Sequence, residues 1–115
     1  LIGLCVNKWL CSDVSDLSTA LELDCYEDIG LCEEGGAEVL LRSGATAIGG
    51  SIPVNPSGGL SSFGEAVPAQ AIAQVGECVR QHQGDADGHQ DKNAKVGVTA
   101  NQGLFGHGSS IVLTQ

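Results

Sequence analysis

Basic residues are scarce in this chain: five Lys and Arg stand against 14 Asp and Glu, for a formal charge of −9. Neither a basic stripe nor aromatic-basic interleaving runs along it, which argues against nucleic acid and against long-range attraction to an anionic membrane. A phosphate-rich coenzyme would need its positive contacts from elsewhere. Aromatics are almost as few: Trp9, Tyr26, Phe63 and Phe105 are the whole set, so a core must be built from Ile, Val, Leu and Ala. No apolar run approaches the roughly 18 residues of a membrane span, and the opening LIGLCVNKWLC has no convincing targeting pattern. Cys5, Cys11, Cys25, Cys32 and Cys78 include no CxxC pair and are odd in number. That fits neither a zinc cluster nor a fully paired secreted scaffold. They read as free thiols in a reducing compartment, the cytoplasm or another such as the peroxisome. No metal site and no bound cofactor is expected.

What the chain has in excess is glycine, 17 of 115 residues against a usual share of about 7%, so loops carry much of the architecture. The length suits one domain, 1–115, and the start without Met raises the expectation of protein upstream. Residues 17–31 read as a helix capped by Asp16 or Ser18 and released at Gly30. A buried strand over 9–14 precedes it. Ile52–Val54 is a candidate short strand limited by Pro53, and 55–61 reads as a turn. The spacing of Val67, Ala71, Val75 and Val79, broadened by Ile72, Gly76 and Cys78, predicts an amphipathic helix over 65–82, with Glu77, Arg80 and Gln81 wet. Residues 84–92 read as an exposed loop with His82 and His89 at its flanks facing solvent. Strands are expected at 95–99 and 110–113, the second buried on both faces because Ile111, Val112 and Leu113 run together. Strands joined by a crossover helix favour an α/β sheet layer whose exposed apolar surface asks for a missing half or a partner.

The segment GGSIPVNPSGGLSSFGEAVPAQAIAQV, residues 49–75, concentrates the candidate chemistry. Asn55, Ser57, Gly58 and Gly59 form a turn suited to presenting backbone amides to a ligand or to tight packing, and Ser57 also suits backbone capping. Glu65 stands where the long helix should begin: it is either a general base or a favourable acid in a first helical turn. His107, bracketed by Gly106 and Gly108, offers an oxyanion donor or proton relay, or a loop hydrogen bond. Asn101 has an amide able to hold a carbonyl oxygen or a water, or to cap a turn. Ser15 with Asp16 forms a further polar candidate. No cysteine stands beside positive charge or at a helix N-terminus, so none is assigned as nucleophile.

Taken in order, YEDIGLCEEGG, GGSIPVNPSGGLSSFG and NQGLFGHGSSIVL resemble the carboxy-terminal half of the thiolase superfamily. The branch most similar is that of the sterol-carrier or lipid-transfer-protein-associated thiolases, and the resemblance runs from about Val14 to Leu113. It implies the carboxy-terminal portion of a layered αβαβα fold, a missing amino-terminal half that holds the nucleophilic cysteine and most coenzyme A contacts, and a homodimer. The implied substrate is coenzyme A or an acyl-CoA. In that family a histidine in a GHP-like turn activates the cysteine; here LSSFGEA puts Glu65 at the histidine and Ala66 at the proline. A carboxylate beside a thiolate adds like-charge repulsion, which questions ordinary cysteine activation. Ser15 falls at the polar residue of an HDCF/NEAF-like loop, and Ala100-Asn101 at an HN-type position followed by a glycine turn with Phe105 and His107. The implied catalytic set is therefore Glu65, His107, Asn101 and Ser15. Asn55, Ser57, Gly58, Gly59 and Phe105 fall on the substrate side.

The resemblance implies an acyl-CoA thiolase or acyltransferase-like protein acting on lipid-derived acyl thioesters. Alternatives are a thiolase-like retro-aldol lyase of sterol side-chain breakdown, or a noncatalytic subunit that meets a lipid-transfer or accessory partner.

Overall fold

The computed structural model describes residues 10–103 and 106–115, Leu10 by its backbone. In chain order it contains β1 (Leu10–Val14), α1 (Thr19–Asp28), α2 (Ala37–Arg42), α3 (Gly59–Phe63) and α4 (Gln70–Gln83). A 3-10 turn (Asp87–His89), β2 (Val96–Gln102) and β3 (Gly108–Thr114) complete it. The strands form one mixed sheet in the order β1-β2-β3. β2 lies parallel to β1, with Cys11 opposite Gly97 and Asp13 opposite Thr99, and antiparallel to β3. This is an α/β layer of the class expected from the sequence.

Alternation along the strands gives the sheet two unlike faces. On one, Val14 and Val98 pack with Cys25, Tyr26, Leu31, Ala37, Ile52 and Val54, and each fully buried large aliphatic there contributes about 1.5–3 kcal/mol. Ser18 enters α1 in extended conformation and its Oγ accepts from the Leu21 amide at 3.2 Å. Of the two caps foreseen for this helix it is therefore Ser18 that acts. The helix stops at Asp28, shortly before Gly30 at φ +77°.

The other face is polar, and it overturns the expected orientation of α4. The residues α4 buries are Gln70, Gln74, Glu77, Cys78 and Gln81, a stripe at helical spacing. Gln74 is 1% exposed whereas Ile72 is 76% exposed, and Val67 and Val79 are also exposed. Glu77 and Gln81, expected to be wet, are inside. The cause is the surface beneath them. Backbone carbonyls at Ala100, Gln102 and His89 accept from the amide groups of Gln74 at 3.5 Å, Gln70 at 3.5 Å and Gln81 at 3.0 Å, which Val or Ile cannot supply. Gly97 lets the helix approach: a Cβ there would lie 2.9 Å from Cys78 Cβ.

Other expectations are corrected locally. The long helix begins at Gln70, so 65–69 form its approach rather than its first turn, and the turn at 55–61 leads directly into the short helix α3. Val54 makes a single parallel bridge with Ser12 rather than a strand. Within 84–92, Ala86 and Asp91 are buried, because Gln90 and Gln81 knit that segment to α4: Gln90 Nε2 donates to Gln81 O at 2.8 Å, and the Asp91 amide donates to Gln81 Oε1 at 2.7 Å. His89 is drawn in with it. Ile111 and Val112 are exposed, contrary to burial on both faces, because α4 lies chiefly over β1 and β2 and the described helices leave the faces of β3 largely uncovered. Among the described residues no helix is long and apolar enough to cross a membrane.

Candidate active site

The NPSGG turn is held by groups buried beneath it. Asn55, at φ +47°, accepts the Val14 amide on its Oδ1 at 2.8 Å, and its own amide donates to Ser12 O at 2.9 Å. Asp16 accepts the Leu60 amide at 2.7 Å and the Ser61 amide at 3.3 Å, while Ser61 Oγ donates to Asp16 O at 2.6 Å. A buried aspartate from the loop after β1 thus satisfies the first amides of α3, where a negative charge is favoured. Gly59, at φ +65°, leaves room for that carboxylate: a Cβ would overlap it. Ser57 Oγ accepts the Gly59 amide at 3.4 Å. The amides of Asn55, Gly58, Gly59, Leu60 and Ser61 are therefore engaged within the chain.

The polypeptide leaves α3 through Gly64 at φ +94° and carries Glu65 into the open. There Glu65 and Asn101 line one cavity of about 270 Å³ with Leu17, Leu21, Val67, Pro68, Gln70, Gln102 and Gly103. Its walls are aliphatic on the α1 and 67–68 sides and polar along α4 and the end of β2. Asn101 is fixed by its Nδ2, which donates to Gln74 Oε1 at 3.2 Å. Ser15 lies behind that wall, fully buried, and accepts the Gln102 amide on its Oγ at 3.0 Å. The sequence thus singled out Glu65 and Asn101, which meet, and Ser15, which supports their neighbour. It did not single out Gln70 or Gln102 as site residues; their signal was their place beside Glu65 and Asn101.

The remaining candidates fall elsewhere. His107 is exposed on the β2–β3 connection, its carbonyl accepting the Gly103 amide at 2.6 Å, and it is not among the described residues lining the Glu65 cavity. Ser57 lines a second cavity of about 370 Å³ with Phe63, Ala73, Gly76, Glu77, Arg80 and His89. Gly58 and Gly59 belong to the start of α3. Phe105 lies outside the described residues.

Burial dominates the titrating groups of the interior. Asp13, on the sheet face under α4, has its pKa pushed up to about 8, first by desolvation and then by the negative Glu77 and Asp16, so the carboxyl is largely neutral in weak acid. Glu77 Oε1 accepts from Gln81 Nε2 at 2.8 Å. His89 Nε2 stands 3.1 Å from the same oxygen, near enough for an ion pair when protonated but not aligned as a hydrogen bond. The Cys11 thiol is raised first by its hydrogen bond with Cys78 and then by burial; Cys25 and Cys32 are raised first by burial. These three thiols lack the stabilised thiolate that a nucleophile needs. Among the described residues no group of three or more His, Cys, Asp or Glu is placed to hold a metal ion.

Residues 10–115 match the family model described as thiolase C-terminal domain-like. The chain is 44% identical over 80 residues to an acetyl-CoA acetyltransferase of Methanothermobacter thermautotrophicus, a match covering 70% of this chain and 21% of that protein. It is 37% identical over 112 residues to sterol carrier protein 2 of Homo sapiens, covering 97% of this chain and 20% of that one. The chain therefore spans about a fifth of the length of these curated relatives. Among solved structures, an Ltp2-ChsH2(DUF35) aldolase superposes with a TM-score of 0.77 over 94% of this chain and 27% of its own, at 24% identity. That likeness bears on the fold.

Proposed function

The chain belongs to the thiolase C-terminal domain-like family, and from that premise we propose that it is the carboxy-terminal part of an enzyme acting on acyl-CoA thioesters derived from lipids. The observation that carries this reading is the meeting of Glu65 and Asn101 in one cavity with aliphatic walls, although 36 positions and the whole of α4 separate them in sequence. A carboxylate that can move a proton, an amide that can hold a carbonyl, and an apolar lining for an acyl chain are what thioester chemistry requires.

In this reading the amino-terminal half brings the nucleophilic cysteine and the positive contacts for coenzyme A. The exposed Ile72 and Val79 of α4 support the presence of a covering partner, since a helix with an apolar outer face is unfavourable in water. The whole protein is a homodimer working in a reducing compartment. Lipid-derived substrates, with a lipid-transfer or accessory partner, follow the relatives' character.

A second reading is favoured by one residue. With Glu65 in place of the family's histidine, retro-aldol cleavage of a 3-hydroxyacyl thioester needs no thiolate. Glu65 takes the hydroxyl proton, the O–H electrons form the new carbonyl, the C2–C3 bond breaks towards the thioester enolate, and that enolate is protonated at C2. Atoms and electrons balance without coenzyme A as co-reactant. Matched 3-oxo and 3-hydroxy thioesters given to the full-length protein decide between the two: cleavage of the 3-oxo compound with consumption of coenzyme A is thiolytic, and product from the 3-hydroxy compound without it is aldol-type.

A further inference from the structure

Gln74 is 1% exposed and is not among the described residues lining the Glu65 cavity, yet its amide bridges two consecutive residues of β2. Its Nε2 donates to Ala100 O at 3.5 Å, and its Oε1 accepts from Asn101 Nδ2 at 3.2 Å. The first contact sets the second. A backbone carbonyl oxygen can only accept, so Gln74 turns its NH2 to Ala100 and its Oε1 to Asn101, and Asn101 must then direct Nδ2 rather than Oδ1 towards α4. Left alone, the terminal torsion of an asparagine is broad and its two ends exchange freely. The strand beneath is held from the other side, because Ala100 O also accepts the Ser15 amide at 2.9 Å and Ser15 Oγ accepts the Gln102 amide at 3.0 Å. Asn101 itself is half-buried and lines the cavity. Among the described residues the contact with Gln74 is the one hydrogen bond of its side chain, so a second N–H and Oδ1 remain for a ligand.

Resting on the reading of this cavity as an acyl-thioester site, we propose that Gln74 is a positioning residue: it relays the fixed polarity of the β2 backbone to Asn101, so that the Asn101 amide meets the thioester carbonyl with its N–H already oriented. A donor fixed before the substrate arrives need not reorient as charge develops on the carbonyl oxygen, and that advantage falls on the chemical step more than on ground-state binding. The same relay gives a reason for an amide at this buried position of α4. A methionine of similar length would fill the volume but could neither donate to Ala100 nor accept from Asn101.

The test is a double-mutant cycle in the full-length protein, with steady-state turnover of matched 3-oxo and 3-hydroxyacyl-CoA by the wild type, Gln74→Met, Asn101→Ala and the double variant. On whichever thioester the wild type turns over, Gln74→Met should lower kcat about tenfold, equivalent to about 1.4 kcal/mol, and leave KM within about twofold. In the Asn101→Ala background the same replacement should change kcat by less than about twofold, because the amide it orients is gone and coupled residues do not add. Gln74→Leu gives the same readout should the Met variant not fold. An equal loss in both backgrounds overturns the assignment, since Gln74 would then act through the fold alone. An unchanged kcat in Gln74→Met beside a fall in Asn101→Ala overturns it as well. Wild-type turnover in Asn101→Ala overturns instead the reading of the cavity, a result distinct from the other two.

Discussion

The Asp16 carboxylate occupies the space that a Cβ on Gly59 would need, and accepts the amides of the two residues that follow that glycine. Two segments more than forty positions apart are locked by this contact, and the lock fixes the start of α3, the helix after which Glu65 emerges.

Gly59→Ala should therefore be costly on two counts, the positive φ and the displaced carboxylate. Asp16→Ala should leave the α3 amides without their acceptor. Each is expected to lower unfolding free energy by roughly 2–3 kcal/mol, measurable by urea denaturation of the full-length protein. An unchanged midpoint for either would show that the contact does not hold the turn.

The side chain of Gln81 takes part in four hydrogen bonds, as does that of Gln90 beside it. Gln81 Nε2 reaches Glu77 Oε1 and His89 O, and its Oε1 takes the Asp91 amide and Gln90 Nε2. Replacing it by Leu should destabilise the fold by about 2–4 kcal/mol, since several buried groups lose partners together. Amide exchange over residues 86–91 should accelerate in the same variant. Slow exchange there would place the anchoring of that segment elsewhere.

Asp13 makes stability depend on pH with a definite sign. Its folded pKa, about 8, lies above the ordinary value of 3.8, so between those values the folded state holds a proton that the unfolded state has released. Its contribution is fully present below about pH 4 and is lost progressively as pH rises towards 8. The thermal midpoint of the wild type should accordingly fall from pH 5 to pH 8 by more than that of Asp13→Asn, whose amide carries no such proton. Parallel curves for the two proteins would contradict the assignment.

How far the sequence could be read follows from which side chains carry the packing. The order of strand, helix, long helix and two final strands was legible from turn residues and periodicity, as were the Ser18 cap and the structural character of Cys78. The orientation of α4 was not. Val67, Ala71, Val75 and Val79 repeat like a buried stripe, but β2 presents backbone carbonyls that Gln74 and Gln70 satisfy, and the turn after α4 presents the His89 carbonyl to Gln81. A hydrophobicity rule cannot see acceptors contributed by a later turn and strand. Of that repeat only Val79 is exposed on α4, where Ile72 joins it, while Val67 precedes the helix and lines the Glu65 cavity. At the candidate site, motif and position singled out Glu65 and Asn101, and both line one cavity. Gln70 escaped because a glutamine near the start of a helix reads as solvated until its carbonyl oxygen is seen to be buried and alone.

Glu65 is the residue we propose to perform chemistry on an acyl thioester, in the cavity it shares with Asn101. The most direct measurement is turnover of matched 3-oxo and 3-hydroxyacyl-CoA by the full-length protein beside its Glu65→Gln variant, a nearly isosteric change at an exposed position that should leave the fold intact. In the variant kcat should fall by about 10²–10⁴-fold, the usual contribution of a positioned acid or base, while thioester binding changes little. Turnover equal to the wild type on both substrates would contradict it.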